Sequence, residues 1–280
     1  MAITLTIANE KGGVGKTTTA VNLAAGLALA LAADATSGGR VLLVDMDPQG
    51  HALLAVGYEE SQAPAGQSLV ALLTETPPPS PQRMLRPASH HSNLFFLPSN
   101  RDGMVEAART LPTLMANETR LARALAPLQK DFDFIVIDTP PNTGDLLVNA
   151  LVAADSVLIP VETSYLGVSG LRELQRTIEQ VRAHFRPQLG IFGYLPTLVE
   201  EVRGEAQEIL AELEKRYPRQ LLPPIHKSSD LAYAHSSHMD IFTYRPPRQR
   251  SAGQLSSSSR ASQEYARLVE LVLAAARRKK

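Results

Sequence analysis

Residues 10–18 read Glu-Lys-Gly-Gly-Val-Gly-Lys-Thr-Thr, and this stretch decides the fold. It follows a short apolar run at 3–8 and precedes a segment with helical spacing at 17–33, so it joins a buried strand to a helix. In that context the glycines let backbone N–H groups curl round a phosphate, and the helix N-terminus adds partial positive charge. The alternative is a glycine-rich turn with a chance Lys-Thr pair. The flanking strand and helix argue against it.

This loop predicts specific roles for its side chains. Lys16 is expected to reach the β- and γ-phosphates of a nucleotide, and the hydroxyl of Thr17 to ligate Mg²⁺. The predicted nucleotide-binding residues are Lys11, Gly12, Gly13, Val14, Gly15, Lys16, Thr17 and Thr18.

The rest of the chain alternates apolar runs with helical segments. Further runs lie at 41–44, 94–97, 134–137, 157–161 and 189–195, and helical spacing at 69–73, 118–128, 167–184, 205–216 and 260–280. The runs are continuous, as in strands covered on both faces. This pattern predicts an α/β fold: a doubly wound, mostly parallel sheet with helices on both faces. We expect a single domain over 1–280, with a Pro-rich surface excursion at about 57–93, loops at 218–259 and a basic C-terminal loop and helix at about 245–280.

Acidic residues end two of these runs. Asp45 and Asp47 follow the run at 41–44, and Asp138 follows the run at 134–137. In a parallel sheet the strand C-termini form the rim of the ligand crevice, beside the phosphate loop. We therefore predict that Asp47 orients the attacking water, that Asp138 holds Mg²⁺ through a water, and that Asp45 supports the magnesium site. Ordinary strand-end aspartates are the alternative, and their position beside the loop argues against it.

The loop departs from the usual G-x-x-x-x-G-K-[ST] pattern, because Glu10 stands at the first glycine position. The sequence K-G-G-x-G-K-T instead resembles the deviant Walker A box of the ParA/MinD family of P-loop ATPases. Segments similar to that family follow in order: DMDPQG at 45–50, LPSN at 97–100, AADSVLIPVE at 153–162, GLREL at 170–174 and YLPT at 194–197. The resemblance implies an ATPase that dimerises around ATP with Mg²⁺. It also implies that Lys11 reaches the partner's nucleotide, with a solvated loop lysine as the alternative, and that an adenine-contacting loop falls near Pro223.

Charge is balanced overall and concentrated at one end. The chain has 28 Lys+Arg and 28 Asp+Glu, which argues against a uniformly basic nucleic-acid surface, yet residues 245–280 contain nine basic residues against Glu264 and Glu270. The family resemblance implies nonspecific DNA binding through such residues, and we select Arg245, Arg248 and Arg250. The terminal Arg-Arg-Lys-Lys fits a helix C-terminus equally well.

Other residue types exclude several kinds of site. The absence of cysteine excludes disulfides, thiolate nucleophiles and iron–sulfur clusters. His226, His235 and His238 fall close together without acids at ligand spacing, so we expect surface residues rather than a metal site.

The resemblance favours a DNA-partitioning ATPase: a homodimer on ATP that binds double-stranded DNA nonspecifically and hydrolyses ATP slowly until a ParB-like partner stimulates it. Three alternatives stay open: a MinD-like ATPase at a membrane surface, a ParA-like ATPase positioning a non-DNA cargo, and a metabolic enzyme on the same fold. Residues 260–280 are Ala-rich and end in charge, a poor membrane anchor. The N-terminus lacks a signal-peptide pattern, and the apolar run at 23–33 is about half of a bilayer span. We therefore expect a cytoplasmic, nucleoid-associated protein without membrane binding.

Overall fold

The computed structural model describes residues 1–34, 38–58, 66–165, 170–200, 204–245 and 259–279. Within them, seven strands form one sheet in the order β3-β4-β2-β5-β1-β6-β7. All neighbouring strands are parallel except β3 and β4, which run antiparallel at one edge. The strands are β1 (Ile3–Ile7), β2 (Val41–Asp45), β3 (Arg86–Pro87), β4 (Leu94–Phe96), β5 (Phe134–Asp138), β6 (Ser156–Glu162) and β7 (Gly190–Thr197).

Helices cover both faces of this sheet, as the sequence predicted. They are α1 (Lys16–Ala33), α2 (His51–Ala55), α3 (Leu69–Thr74), α4 (Arg101–Thr110), α5 (Arg120–Leu125), α6 (Asp145–Ala153), α7 (Leu171–His184), α8 (Gly204–Arg216), α9 (Ser229–Ser236) and α10 (Arg260–Lys279). Alternate residues of one strand enter different cores. In β5, Phe134 and Val136 pack with residues of α1 and α10, whereas Ile135 and Ile137 pack with residues of α3, α4 and α5. Continuous apolar strands therefore contribute to hydrophobic cores on both faces of the sheet.

Helix α1 lies against both the sheet and α10. Its length and composition would suffice to cross a membrane, but 61% of that window is buried inside the molecule, as in a core helix. Gly26 allows α10 to approach closely, because a Cβ at this position would lie 2.6 Å from Cγ2 of Val269 and 2.9 Å from the ring of Phe242. The apolar face of α10 is consequently buried.

The predicted helix at 118–128 is shorter than expected. Regular helix covers only Arg120–Leu125, and 3₁₀ turns flank it at Asn117–Thr119 and Ala126–Leu128. Pro127 lies in the second turn, where its ring and missing N–H disfavour a continued α-helix.

The prediction of loops throughout 218–259 is wrong at α9. This helix begins after Ser228, whose hydroxyl accepts a hydrogen bond from the backbone N–H of Asp230 at 3.2 Å. Only Ala234 among its eight residues is buried, so the segment lacks the apolar spacing by which a helix is recognised in sequence.

Candidate functional site

The loop between β1 and α1 has the backbone that its glycines allow. Gly13 and Gly15 have φ values of 76° and 81°, in the left-handed region that residues with a Cβ rarely adopt. Val14 between them is fully buried, and the hydroxyl of Thr197 at the end of β7 donates to its carbonyl oxygen at 2.9 Å. The loop is therefore anchored to the sheet, with exposed Gly12 and Gly13 at its outer side.

Lys16 lies within this loop. Its side chain is buried, and Nζ donates to the backbone carbonyl of Lys11 at 2.9 Å. Burial lowers the pKa of Lys16, while the charges of Asp138 and Asp47 oppose that shift. The predicted phosphate-binding lysine and two of the predicted acids thus share one electrostatic environment.

The three aspartates meet at the carboxyl ends of β2 and β5. Asp45 and Asp138 are fully buried register partners on these strands, and Asp47 is half-buried in the turn that follows β2. Burial raises the pKa of Asp45 well above its ordinary value, and the charge of Asp138 raises it further. The sequence prediction that these acids lie beside the loop is correct as to position.

The carboxylate of Asp45 accepts hydrogen bonds from the turn that follows it. Oδ1 accepts from the N–H of Asp47 and Oδ2 from the N–H of Ala52, both at 3.0 Å. Both oxygens already have backbone donors. Asp45 therefore fixes the turn that holds Asp47.

Asp138 has the environment of a metal-site acid. Oδ1 accepts from the N–H of Thr139 at 3.0 Å, whereas buried Oδ2 has no hydrogen-bond partner within the described residues. Burial raises its pKa to about 7; the charge of Asp47 adds to this rise, and the Thr17 hydroxyl and Lys16 oppose it. A buried acceptor without a partner is costly unless a ligand satisfies it, so this oxygen fits a water held by Mg²⁺.

Lys11 is bound within its own chain. Its Nζ forms an ion pair with the carboxylate of Glu162 at the end of β6 and lies 3.4 Å from Oγ of Ser164. Both partners of the ion pair are partly exposed. Reach of Lys11 to a partner's nucleotide stays a prediction.

An apolar cavity of about 450 Å³ adjoins the phosphate loop. The loop contributes Gly15 and Thr18 to the lining, and other lining residues come from Thr197, from the segment 225–232 and from Tyr265 of α10. Sequence reasoning did not select these wall residues. Two signals lay next to them: the adenine-contacting loop expected near Pro223, which precedes Ile225, and the YLPT segment, which ends at Thr197.

The predicted DNA-binding residues are described only in part. Arg245 is exposed, and its Nη1 donates to the carbonyl oxygens of Phe242 at 2.7 Å and Tyr244 at 3.1 Å. Arg248 and Arg250 lie outside the described residues.

The histidines differ from the prediction in one respect. His226 is not a simple surface residue, because it is half-buried and bonded to Glu264, an acid that is distant in sequence. His235 and His238 are exposed, as predicted. Across the described part of the chain, no group of three or more His, Asp or Glu side chains could hold a metal ion.

Fold and site together define a P-loop nucleotide-binding protein, with a glycine-lined loop between a strand and a helix and acids at the same sheet edge. A family model described as "AAA domain" matches residues 2–191. The chromosome partitioning protein ParA of Myxococcus xanthus is 39% identical over 219 residues, 78% of this chain and 73% of that protein. The sporulation initiation inhibitor protein Soj of Bacillus subtilis is 35% identical over 249 residues, 89% of this chain and 93% of that protein.

Among solved structures, cobyrinic acid a,c-diamide synthase from Mycobacterium smegmatis, with bound ATP analog and magnesium, has a TM-score of 0.76 and 31% identity. The match covers 98% of this chain and 94% of that chain. The chain therefore belongs to the ParA-like family of P-loop ATPases, which confirms the resemblance, the fold class and the ATPase prediction. As an ATPase of this family it works on ATP with Mg²⁺.

Proposed function

We propose that this chain is a partition ATPase. ATP drives it to dimerise, the dimer binds double-stranded DNA nonspecifically, and a ParB-like partner stimulates slow hydrolysis that releases the DNA. The observation that carries this proposal is the loop with two lysines, Lys11 and Lys16, beside three aspartates at one sheet edge. The partitioning protein from Myxococcus xanthus supports the assignment by its name and its 39% identity.

Nucleotide binding follows from the loop. Backbone N–H groups of residues 12–18 and the N-terminus of α1 bind the phosphates, and Lys16 replaces its contact with the Lys11 carbonyl by one with the β- and γ-phosphates. The nucleoside part occupies the adjoining cavity, whose apolar lining suits a flat ring.

Magnesium and water complete the reaction centre. The Thr17 hydroxyl and, through a water, Oδ2 of Asp138 would hold Mg²⁺, which would supply positive charge at the phosphates. Asp47, at the end of a turn that Asp45 fixes, orients the water that attacks the γ-phosphorus. As the water oxygen bonds to the γ-phosphorus, the bond from that phosphorus to the β–γ bridging oxygen breaks. ADP keeps the bridging oxygen, inorganic phosphate leaves, and a proton is released to solvent.

Lys11 links hydrolysis to dimerisation. A second cation at the γ-phosphate stabilises the charged transition state, as an arginine finger does. In the single chain this lysine is held by Glu162, so it has to exchange that carboxylate for the partner's nucleotide. Without these cations, two facing nucleotides would repel each other. Because each Lys11 contacts the γ-phosphate bound to the other chain, dimerisation depends on ATP.

DNA binding is assigned to the basic region at 245–280. Each phosphate contact releases counterions, so a few arginines per subunit give weak, salt-sensitive binding. A dimer presents two such regions at once, which strengthens the binding without new contacts. On this account the protein is cytoplasmic and associated with the nucleoid.

The alternatives differ in measurable ways. A MinD-like membrane role needs an available amphipathic helix, and the apolar residues of α10 are instead buried against α1 and the sheet. A self-contained synthase, as the name of the Mycobacterium smegmatis neighbour suggests, needs no ATP-driven dimer and no DNA. A ParA-like ATPase that positions a non-DNA cargo would have the same cycle of ATP binding, dimerisation and hydrolysis.

A DNA mobility-shift assay tests the proposal. Purified protein is titrated onto DNA of unrelated sequence with Mg·ATP, with Mg·ADP or without nucleotide, each at low and high salt. Binding only in ATP, and weaker at high salt, is the expected result. Equal binding in all nucleotide states, or none in any of them, would contradict the partition function.

A further inference from the structure

The C-terminal helix forms part of the cavity beside the phosphate loop. Tyr265, in the second turn of α10, is fully buried and lines this cavity. Its hydroxyl lies 3.4 Å from Oγ1 of Thr19, in the first turn of α1. Burial raises the pKa of Tyr265 far above that of a free phenol, so the hydroxyl stays neutral. One wall of the cavity therefore comes from a residue distant in sequence from the phosphate loop.

Glu264, the residue before Tyr265, contacts a second residue of the cavity lining. Its Oε2 accepts from the backbone N–H of His226 at 2.9 Å, and its Oε1 lies 2.6 Å from Nδ1 of the same residue. Nε of Arg260 also donates to Oε1, at 2.8 Å. The side chains of His226 and Glu264 are only 14% and 16% exposed.

This double contact fixes both backbone and ring of His226. A carboxylate only accepts hydrogen bonds, so Nδ1 of His226 has to carry the proton that the two atoms share. His226 itself lines the cavity, directly after Ile225. Removal of the Glu264 carboxylate would leave two N–H donors of His226 without that partner and free the wall to move.

We propose that Glu264 is a positioning residue for the nucleoside part of the nucleotide: it holds His226 in the wall of the cavity, while Tyr265 closes the side next to α1. This inference rests on the proposed function, because it takes the cavity beside Gly15 and Thr18 as the place of the nucleoside. The phosphate cradle lies on a different segment and depends on other residues. Glu264 therefore stabilises binding of the nucleoside and leaves binding of the phosphates unchanged.

Titration with two ligands separates the contribution of the nucleoside to binding from that of the phosphates. Isothermal titration calorimetry with Mg·ATP measures phosphates plus nucleoside, and titration with Mg·tripolyphosphate measures a phosphate chain without nucleoside. The variants are Glu264→Ala, Glu264→Gln and His226→Ala, together with the double variant of Glu264→Ala and His226→Ala. Glu270→Ala is the matched control, because Glu270 is an exposed acid on the same helix.

In Glu264→Ala, the affinity for ATP is expected to fall about tenfold, the loss typical of a hydrogen-bonded charged group, with tripolyphosphate affinity unchanged. Glu264→Gln keeps an oxygen acceptor and should recover part of that loss. The double variant should bind ATP no more weakly than His226→Ala, since Glu264 acts through His226. Glu270→Ala should match the unmodified chain.

Two results would overturn the inference. One is an unchanged ATP affinity in Glu264→Ala. The other is an equal loss for ATP and tripolyphosphate, which would make the contact one of general fold stability. Failure of the unmodified chain to bind either ligand would instead refute the proposed function.

Discussion

Asp45 and Asp138 are register partners at the carboxyl ends of two neighbouring parallel strands, and both carboxyl groups are completely buried. Burial raises the pKa of each, and the charge of Asp138 contributes to the rise at Asp45. Asp45 has two backbone N–H donors, whereas Oδ2 of Asp138 has no partner within the described residues. Asp45 therefore stabilises the turn after β2, whereas Oδ2 of Asp138 remains available to a ligand.

The first prediction concerns the stability of the nucleotide-free protein in Asp138→Asn. The pKa of Asp138 rises from 3.8 to about 7 on folding, so this group favours folding most below pH 3.8 and loses that contribution as pH rises through 7. Asparagine does not ionise. We therefore compare the free energy of unfolding of Asp138→Asn with that of the unmodified chain. The difference in favour of the variant should be on the order of 2 kcal/mol larger at about pH 8 than at about pH 5.

Urea unfolding at the two pH values measures this difference, and an equal gain at both would contradict it. The same variant should lose ATP hydrolysis by at least about a hundredfold, because the proposed magnesium site would lose its buried acid.

The second prediction is that Lys16→Ala abolishes nucleotide binding. Lys16 is the buried cation inside the loop, and its removal leaves the phosphates opposite Asp138 and Asp47 without compensation. Equilibrium titration with a fluorescent ATP analogue measures the loss, and Lys215→Ala, at an exposed position on α8, is the control. Retained ATP affinity would refute the site.

The third prediction concerns the ion pair of Lys11 with Glu162. Because this pair holds Lys11 in its own chain, Glu162→Gln should strengthen ATP-dependent dimerisation. Both side chains are partly exposed, so the change should be modest, about two- to fivefold in the dimer dissociation constant. Sedimentation equilibrium in Mg·ATP measures it.

A double variant of Glu162→Gln with Lys11→Ala is the control for that experiment and should not dimerise more strongly than Lys11→Ala alone. Weaker dimerisation in Glu162→Gln would show that Glu162 supports the dimer itself.

The fourth prediction is that reversing Arg245, Arg248 and Arg250 to glutamate removes DNA binding and leaves ATP-driven dimerisation intact. The change replaces three positive charges per subunit and should also flatten the salt dependence of any residual binding. A triple reversal of Arg83, Arg109 and Arg219, which are all exposed, is the matched control. An unchanged mobility shift would move the DNA surface elsewhere.

The sequence predicted six of the seven strands within one or two residues, because buried parallel strands are continuous apolar runs. It missed the antiparallel edge strand β3, which is only two residues long. It also placed the loop and its acids correctly, since Asp45 and Asp138 directly end such runs. The helices α2 and α9 were missed for different reasons. Helix α2 has only five residues, too few for helical spacing to be recognised, and α9 buries only Ala234.

The cavity wall could not be predicted from spacing. His226 and Glu264 are 38 positions apart, and their contact exists only because α10 folds back against α1. The sequence neighbours of His226 and of Glu264 carry no motif that indicates a site. The ion pair of Lys11 could not be predicted from spacing either, because its partner Glu162 is 151 positions away.

The proposed switch depends on ATP joining two chains of this protein. The variant Asp47→Ala isolates that step, because blocked turnover keeps ATP bound. Sedimentation velocity of this variant compares saturating Mg·ATP with Mg·ADP. We expect a species of twice the chain mass in ATP and a single chain in ADP. A single chain in both, with ATP binding verified in the same sample, would contradict the switch and favour a self-contained nucleotide enzyme.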